Sequence, residues 1–164
     1  MGEDRVTVRP ATAHDVDALV ALRVANADVH LALDPLLYRM PPEAALLRHF
    51  TTVLADAPGR NAVFVAEWDG RIVGMVEVLR DPDPPAHRLL RPEPSAQIHT
   101  VVSPEVRARG VGSVLVAAAE RWAAAAGMVR LSAGIHHAND RAVGFYQRHG
   151  FVDAEISLVR RLDG

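Results

Sequence analysis

Residues 97–122, QIHTVVSPEVRARGVGSVLVAAAERW, contain the local pattern that decides the fold. The run from Gln97 to Ser103 is rich in β-formers and ends at Pro104, which cannot donate a ladder hydrogen bond. Beyond the next turn, four apolar side chains recur at helical spacing and predict one buried helix face: Val114, Leu115, Ala118 and Trp122. The stretch therefore predicts a strand, a tight turn and a helix.

The turn between this strand and helix has the composition of a phosphate-binding loop. Arg107 and Arg109 supply positive charge, and Gly110 and Gly112 lack a Cβ atom, so a ligand can approach the backbone closely. The start of the helix adds unsatisfied N–H groups and the positive end of the helix dipole. An ordinary turn with two solvated arginines is the alternative, because short glycine motifs occur by chance.

Upstream of this stretch the chain predicts alternating strands and helices. The predicted elements are a strand over residues 5–9, a helix that starts near Thr12 or Asp15 and loosens around residues 28–30, a second helix over residues 43–54, and a hairpin of residues 62–67 and 72–79. Asp69-Gly70 is the turn signal of the hairpin, and Gly74 predicts a bulge or a close approach inside its second strand.

Downstream, the pattern predicts a strand over residues 129–135, a helix that runs to His149 with Asn139 as N-cap, and a last strand over residues 151–162. The segment Asp81 to Ser95 contains five prolines and predicts no regular structure. It is either an exposed insert, a loop that shapes a binding mouth, or a surface that packs on a second subunit of a homodimer.

Two motifs in this order resemble the GNAT N-acetyltransferases. Arg107-x-x-Gly110-x-Gly112 is similar to the acyl-CoA pyrophosphate loop of that family. The segment Asn139-x-x-Ala142-x-x-Phe145-Tyr146-x-x-x-Gly150-Phe151 resembles the family's NxxAxxFYxxxGF segment at each of these positions. The resemblance covers nearly the whole chain. It implies an α/β fold in one domain, residues 1–164, with a mixed, mostly antiparallel sheet of about six to seven strands and helices on both faces.

The resemblance also implies a site for acetyl-CoA as co-substrate. The pyrophosphate is expected on the loop formed by Arg107, Ala108, Arg109, Gly110, Val111, Gly112 and Ser113. Backbone groups of Val101 and Val102, beside a bulge in the strand, are expected along the pantetheine arm. The N–H at Val102 would receive the oxyanion where this strand splays from the next one.

Tyr146 and Asn139 are the candidate side chains of the second motif. A phenol with a pKa of about 10 can protonate a thiolate whose thiol has a pKa of about 8.5, so Tyr146 is the candidate general acid. The alternative is a core aromatic whose hydroxyl reaches a backbone carbonyl or solvent. Asn139 can cap the helix and also contact the pantetheine amides, since its amide has separate donor and acceptor ends.

The general base is the point at which the chain departs from many members of the family. The glutamate that they often carry near the start of the strand falls at Ala96 here, next to Gln97, and neither side chain can take a proton. His99 and Glu77 are the remaining candidates. Neutralising an amine of pKa about 10.4 at pH 7 costs about 5 kcal/mol, and an apolar site could lower this cost without a base.

Composition excludes several other classes. The chain has 164 residues, no cysteine and a formal charge of −2, which rules out a thiol nucleophile and disfavours a nucleic-acid surface. No apolar run reaches the length of a membrane span and no signal peptide is evident, so we expect a cytoplasmic protein without a membrane partner. The eight histidines show no metal-type spacing, and His136 and His137 would point to opposite faces of a strand; we expect no metal.

The sequence thus predicts an enzyme, an N-acetyltransferase that moves an acetyl group from acetyl-CoA to a primary amine of a small molecule or peptide. A non-catalytic acyl-CoA-binding sensor is the alternative, because the usual glutamate is missing while Tyr146 is present. A dinucleotide-binding domain is disfavoured, since no G-x-G-x-x-G follows the first strand.

Overall fold

The computed structural model describes residues 6–56 and 59–162, which form two compact units divided between Gly134 and Ile135. The first unit contains, in chain order, β1 (Thr7–Pro10), a 3-10 turn (Ala13–Asp15), α1 (Val16–Leu33), α2 (Glu43–Asp56), β2 (Asn61–Trp68), β3 (Arg71–Arg80), β4 (Ser95–Val102), a second 3-10 turn (Pro104–Val106), α3 (Val111–Ala125) and β5 (Arg130–Ser132). The second unit contains α4 (Asp140–Arg148). The prediction of a single domain stays a prediction.

The sheet of the first unit has the strand order β1-β2-β3-β4-β5. The pairs up to β4 are antiparallel, and β4 pairs with β5 in parallel. This confirms a mixed, mostly antiparallel sheet in an α/β fold, with five strands rather than six to seven.

The hairpin of β2 and β3 forms as its sequence predicts. Asp69 and Gly70 have φ values of 50° and 72°, the two left-handed residues that a tight hairpin turn requires. The register shifts after Ala66, which pairs with Gly74 while Glu67 pairs with Ile72. The shift makes Val73 the extra residue, so a bulge lies next to Gly74.

Helices cover both faces of the sheet. On one face Met75 and Val101 belong to a buried cluster with side chains of α1 and α2, including Leu19 and Phe50. Gly74 points to the other face, because successive strand residues alternate. A Cβ atom at Gly74 would lie 3.0 Å from Leu115 Cδ1 of α3 and 3.1 Å from the Val101 carbonyl oxygen. The predicted close approach is therefore confirmed.

Two details of the helices differ from the prediction. The loosening expected around residues 28–30 is wrong, because α1 continues to Leu33 and the carbonyl of His30 still accepts a bond from Asp34 N–H at 2.9 Å. The buried face of α3 is centred on Leu115 and Ala119, whereas Val114 is 40 % exposed. The spacing of the apolar residues therefore predicted a buried face that is rotated slightly from the observed one.

The C-terminal strands are the main error. The strand expected over residues 129–135 is reduced to β5, and Val129 outside it is 65 % exposed. None of residues 151–162 is in a strand, and Ile156 and Leu158 are exposed. An alternating pattern identifies the face that a strand would bury, but a strand forms only where a neighbour supplies its hydrogen bonds. Arg160 and Arg161 also interrupt the alternation.

The proline-rich segment has no helix or strand over residues 81–94, as predicted, and β4 begins at Ser95. Its two ends are joined to each other. Asp81 N–H donates to the Ser95 carbonyl at 2.9 Å, and the Ser95 hydroxyl donates to Asp81 Oδ2 at 2.7 Å. The segment therefore leaves and re-enters the sheet at one point, while Leu89 and Leu90 at its tip are exposed.

Candidate functional site

The loop after β4 has an unusual backbone. Ala108 and Gly110 both have left-handed conformations, with φ values of 61° and 78°. A non-glycine residue in this region is uncommon, and such residues concentrate where a binding loop needs a sharp change of direction. Among the described residues, nothing lies within 4 Å of a Cβ atom built at Gly110, so the space beside this residue is open.

The N-terminus of α3 follows immediately. Its N-cap residue, Gly110, supplies no side-chain cap, and its carbonyl accepts the first helical bond from Val114 N–H at 3.2 Å. The N–H groups of Val111 and Gly112 lie before that bond and cannot be satisfied within the helix. Together with the helix dipole, they give this end of α3 the properties of an anion site. The residues from Arg107 to Ser113 thus form one continuous loop and helix start, as the sequence predicts.

Arg109 attaches this loop to the hairpin. Its guanidinium carbon lies 4.8 Å from the centre of the Trp68 ring, at the end of β2. This cation–π contact holds the loop against the hairpin turn while Arg109 remains exposed. Arg107 is half-buried. Both arginines of the motif therefore belong to the loop that leads into α3.

The end of β4 provides backbone groups on the side away from β3. Ser103 N–H donates to the Val73 carbonyl of β3 at 2.8 Å. Because backbone groups alternate along an antiparallel strand, the N–H of Val102 points to the opposite edge. On that edge the pairing with β5 ends at Gln97 and Ser132, while β4 continues to Val102. The bulge expected in β4 beside Val101 and Val102 is wrong: the register with β3 is unbroken, and the bulge is at Val73.

Glu77 lies inside the first unit, with its side chain 1 % exposed. Its Oε2 accepts a hydrogen bond from Arg23 Nη2 at 2.6 Å, and its Oε1 is bonded to Nε2 of His49. Burial, the largest single influence, would raise the pKa of this carboxyl, but the His49 hydrogen bond and the Arg23 charge outweigh it and the pKa is lowered. Glu77 is therefore an ionised, doubly bound carboxylate and a poor proton acceptor.

His99 is the cross-strand partner of Glu77 and is half-buried. Burial lowers the pKa of its imidazole and the Arg23 charge lowers it further, against an opposing effect of Glu77. His99 is therefore neutral at pH 7. The two base candidates lie side by side on the face covered by α1 and α2, and neither has the properties of a strong base.

Arg23 and His49 are the members of this cluster that sequence reasoning missed. Each follows a buried leucine by one helical turn, Leu19 in α1 and Leu46 in α2. The signal available in the sequence was a charged or titratable side chain at a helix position that otherwise belongs to the apolar, buried face. The signal did not identify the partner, since Glu77 is 54 residues from Arg23 and 28 from His49.

The second unit contains the other motif. The Asn139 side chain accepts a bond from Ala142 N–H at 3.2 Å, which confirms it as the N-cap of α4. Tyr146 is 7 % exposed, and its ring makes edge contacts with Phe145 and Phe151 at centroid distances of 5.1 Å. The two phenylalanines fix the ring, and Gly150, with a φ of 84°, closes the helix between them.

The paired histidines do not lie on a strand. His136 and His137 follow β5, and their rings are neighbours with centroids 4.7 Å apart, so the expectation that they point to opposite faces is wrong. Over residues 6–56 and 59–162, no group of three histidine, cysteine or acidic side chains has a metal-binding arrangement. Over the same residues, no helix has the length and apolarity needed to cross a bilayer.

Comparison with known proteins gives a family and a set of similar structures. The family described as Acetyltransferase (GNAT) family matches residues 31–151, more than half of the chain. A mutant of the BH1408 protein from Bacillus halodurans has a TM-score of 0.84 at 17 % identity, covering 95 % of this chain and 99 % of that chain.

Two further structures carry functional names. Aminoglycoside N-acetyltransferase AAC(6')-Iy in complex with CoA has a TM-score of 0.74 at 22 % identity, covering 98 % of this chain and 97 % of that chain. A predicted acetyltransferase from Clostridium acetobutylicum with acetyl-CoA has a TM-score of 0.72 at 17 % identity, and 96 % of each chain is covered. At these identities the similarity establishes the fold. A search of curated proteins gave no match.

Proposed function

Because this chain belongs to the Acetyltransferase (GNAT) family, we propose that it transfers an acetyl group from acetyl-CoA directly to a primary amine within a ternary complex. The observation that carries the proposal is the loop before α3. Two left-handed residues, an uncapped helix start and two arginines combine there into a site for the pyrophosphate of CoA. The backbone of Val101 and Val102 would bind the pantetheine arm, with Asn139 and Tyr146 as further contacts.

The chemistry requires an oxyanion donor and a proton for the departing thiolate. The N–H of Val102 is proposed as the donor, because it points to the edge of β4 that has lost its β5 neighbour. Tyr146 is proposed as the acid that protonates the thiolate. Its phenol is only slightly less acidic than the CoA thiol that forms, so the transfer of the proton costs little free energy. Neither Glu77 nor His99 is proposed as a strong base, because the pKa of each is lowered.

The acceptor is proposed to be a small-molecule or peptide amine in the cytoplasm. The loop between α1 and α2 and the segment over residues 81–94 are the candidate walls of its site. Leu36, Leu37 and Met40 of the first loop are exposed, as are Leu89 and Leu90 of the second. Association into a homodimer through the second loop is part of the same proposal.

Two measurements test the function. Thiol release from acetyl-CoA is followed over a panel of amino acids, polyamines, peptides and aminoglycosides, and turnover with at least one amine is expected. Acetyl-CoA at 100 times its Kd should raise the free energy of unfolding by about 2.7 kcal/mol, because it binds only the folded protein.

The two measurements also separate the proposal from its alternative. Stabilisation by acetyl-CoA without turnover of any amine would favour a non-catalytic acyl-CoA sensor. An unchanged melting temperature at saturating acetyl-CoA would contradict both functions.

A further inference from the structure

His49 is held at the surface by a carboxylate that is itself buried. The side chain of His49 is 40 % exposed, whereas that of Glu77 is 1 % exposed. The second oxygen of Glu77 is bound by Arg23, whose side chain is 20 % exposed. The carboxylate therefore cannot turn away from His49 without breaking its bond to Arg23. The geometry is that of an imidazole oriented by an anchored carboxylate.

The hydrogen bond fixes the tautomer of His49. An ionised carboxylate only accepts hydrogen bonds, so Nε2 of His49 carries the hydrogen that Glu77 binds. The lone pair then lies on Nδ1, which no hydrogen bond within the described residues occupies. A proton taken up at Nδ1 creates a positive charge that faces the carboxylate of Glu77.

The position of His49 relates it to the end of β4. Glu77 is paired with His99, and Val101 and Val102 follow on the same strand, about 7–10 Å further at about 3.3 Å per residue. Glu77, His99 and Val101 lie on the face of the sheet that α1 and α2 cover. His49 thus lies on that face, bonded to Glu77 at the register of His99, three residues before Val102 on β4.

We propose that His49 is the proton acceptor for the amine substrate and that Glu77, anchored by Arg23, is its positioning residue. This inference rests on the proposed acetyl transfer. The ammonium gives one proton to Nδ1 of His49, directly or through one water, and His49 passes it to solvent. The amine nitrogen then forms a bond to the thioester carbon and the C–S bond breaks. The nitrogen loses its second proton to solvent, the thiolate takes up the proton of Tyr146, and the Tyr146 phenolate regains a proton from solvent, so that one proton is released overall.

The neighbours of His49 are less suited to this role. Both oxygens of Glu77 are engaged, whereas the described part of the chain shows no carboxylate hydrogen bond to the ring of His99, which also lies near the Arg23 charge. The charged or titratable groups of the cluster are Arg23 and His30 from α1, Glu77 from β3 and His99 from β4. His30 uses its Nδ1 for the carbonyl of Asn26 at 2.8 Å. His49 alone in this cluster combines an exposed ring with a bound carboxylate.

The kinetic test uses His49→Gln, whose amide can still donate to Glu77, and the fastest amine of the panel. We expect kcat/KM to fall about 10²-fold at pH 7, the scale for a positioned base, with the affinity for acetyl-CoA unchanged. The loss should shrink as the pH approaches the pKa of the amine, because the free amine then needs no base. His14→Gln, an exposed histidine beside α1, is the matched control. An unchanged rate and pH profile in His49→Gln would overturn the proposal.

The second test is spectroscopic and needs no substrate. Long-range ¹H–¹⁵N spectra of the imidazoles should show His49 protonated at Nε2 in the neutral form, and Glu77→Gln should shift its tautomer balance. A neutral His49 protonated at Nδ1 would contradict the inference. If the wild-type protein turns over no amine, the proposed function and the catalytic role of His49 fall together. The spectra then still decide whether Glu77 orients the ring.

Discussion

Gly112 is the residue at which the cofactor loop is tested most directly. It is the second residue of α3, and its N–H lies before the first helical hydrogen bond. We predict that Gly112→Val weakens acetyl-CoA binding at least tenfold, about 1.4 kcal/mol, because the branched side chain blocks the approach of the pyrophosphate. Calorimetric titration measures the change. Gly59→Val, at a glycine with open space outside the loop, should bind normally, and equal affinities in all three proteins would contradict the loop assignment.

Tyr146 tests the enzyme against the sensor. Tyr146→Phe keeps the ring that packs between Phe145 and Phe151 and removes only the hydroxyl. We predict that kcat falls about 10²-fold while the Kd for acetyl-CoA stays the same, since the acid acts in the transition state.

The comparison variant is Tyr146→Leu, which also removes the ring and should lower the melting temperature. Parallel loss of kcat and acetyl-CoA affinity in Tyr146→Phe would make the hydroxyl structural. Unchanged kcat would mean that the thiolate takes its proton from elsewhere.

At the scale of the elements, the contact between β3 and α3 controls the geometry of β4. A methyl group at Gly74 would meet Leu115 Cδ1 at 3.0 Å, the Val101 carbonyl oxygen at 3.1 Å and Val111 Cγ1 at 3.3 Å. The leucine can rotate, but the carbonyl belongs to the strand that carries Val102. We predict that Gly74→Ala lowers the free energy of unfolding by about 1–3 kcal/mol, as overpacking does. Urea unfolding measures it.

The double variant Gly74→Ala with Leu115→Val separates the two contacts. Shortening the leucine relieves the side-chain contact and leaves the carbonyl contact in place. We expect partial recovery of stability relative to the sum of the single variants. Full recovery would show that the backbone contact costs nothing.

At the scale of the first unit, an ion-pair network joins β1, β2 and the start of α1. Arg9 binds both oxygens of Asp15, at 2.7 and 2.9 Å, and Oε1 of Glu67 at 2.7 Å. The hydrogen bond from Arg9 is the main cause that lowers the pKa of Asp15 to about 2. The same contacts raise the pKa of Arg9.

This pKa sets the direction of the pH dependence. The carboxyl is more acidic in the folded chain than in the unfolded chain, so it stabilises the fold above pH about 4, and the effect disappears as the pH falls towards 2. We predict that Asp15→Asn loses about 1–2 kcal/mol at neutral pH, reduced from the full shift because Arg9 is partly exposed. It should also lose less on acidification than the wild type. Unfolding curves from pH 2 to 7 measure both effects, with the exposed Asp17→Asn as control. Parallel pH curves for all three proteins would contradict the role of Asp15.

The amino-acid sequence by itself determined the features that depend on neighbouring residues. The turn at Asp69-Gly70, the loop from Arg107 to Ser113 and the cap at Asn139 need only local backbone preferences and local hydrogen bonds. The family and its mixed sheet were instead predicted from the resemblance of the Arg107 to Gly112 and Asn139 to Phe151 motifs to the GNAT N-acetyltransferases. The prediction of a C-terminal strand was wrong because a strand depends on more than its own sequence. Its hydrogen bonds require a neighbouring strand, which no local pattern specifies.

The tertiary structure alone decided the chemistry around Glu77. It brings Arg23 from α1, His49 from α2 and His99 from β4 to one carboxylate across large separations in sequence. It also placed the bulge at Val73 rather than in β4, and ended the β5 pairing before Val102. The pKa values of Glu77 and His99 depend on burial and on charges brought close by the fold. Which group can accept the proton is therefore a property of the packed helices and sheet, not of any one segment.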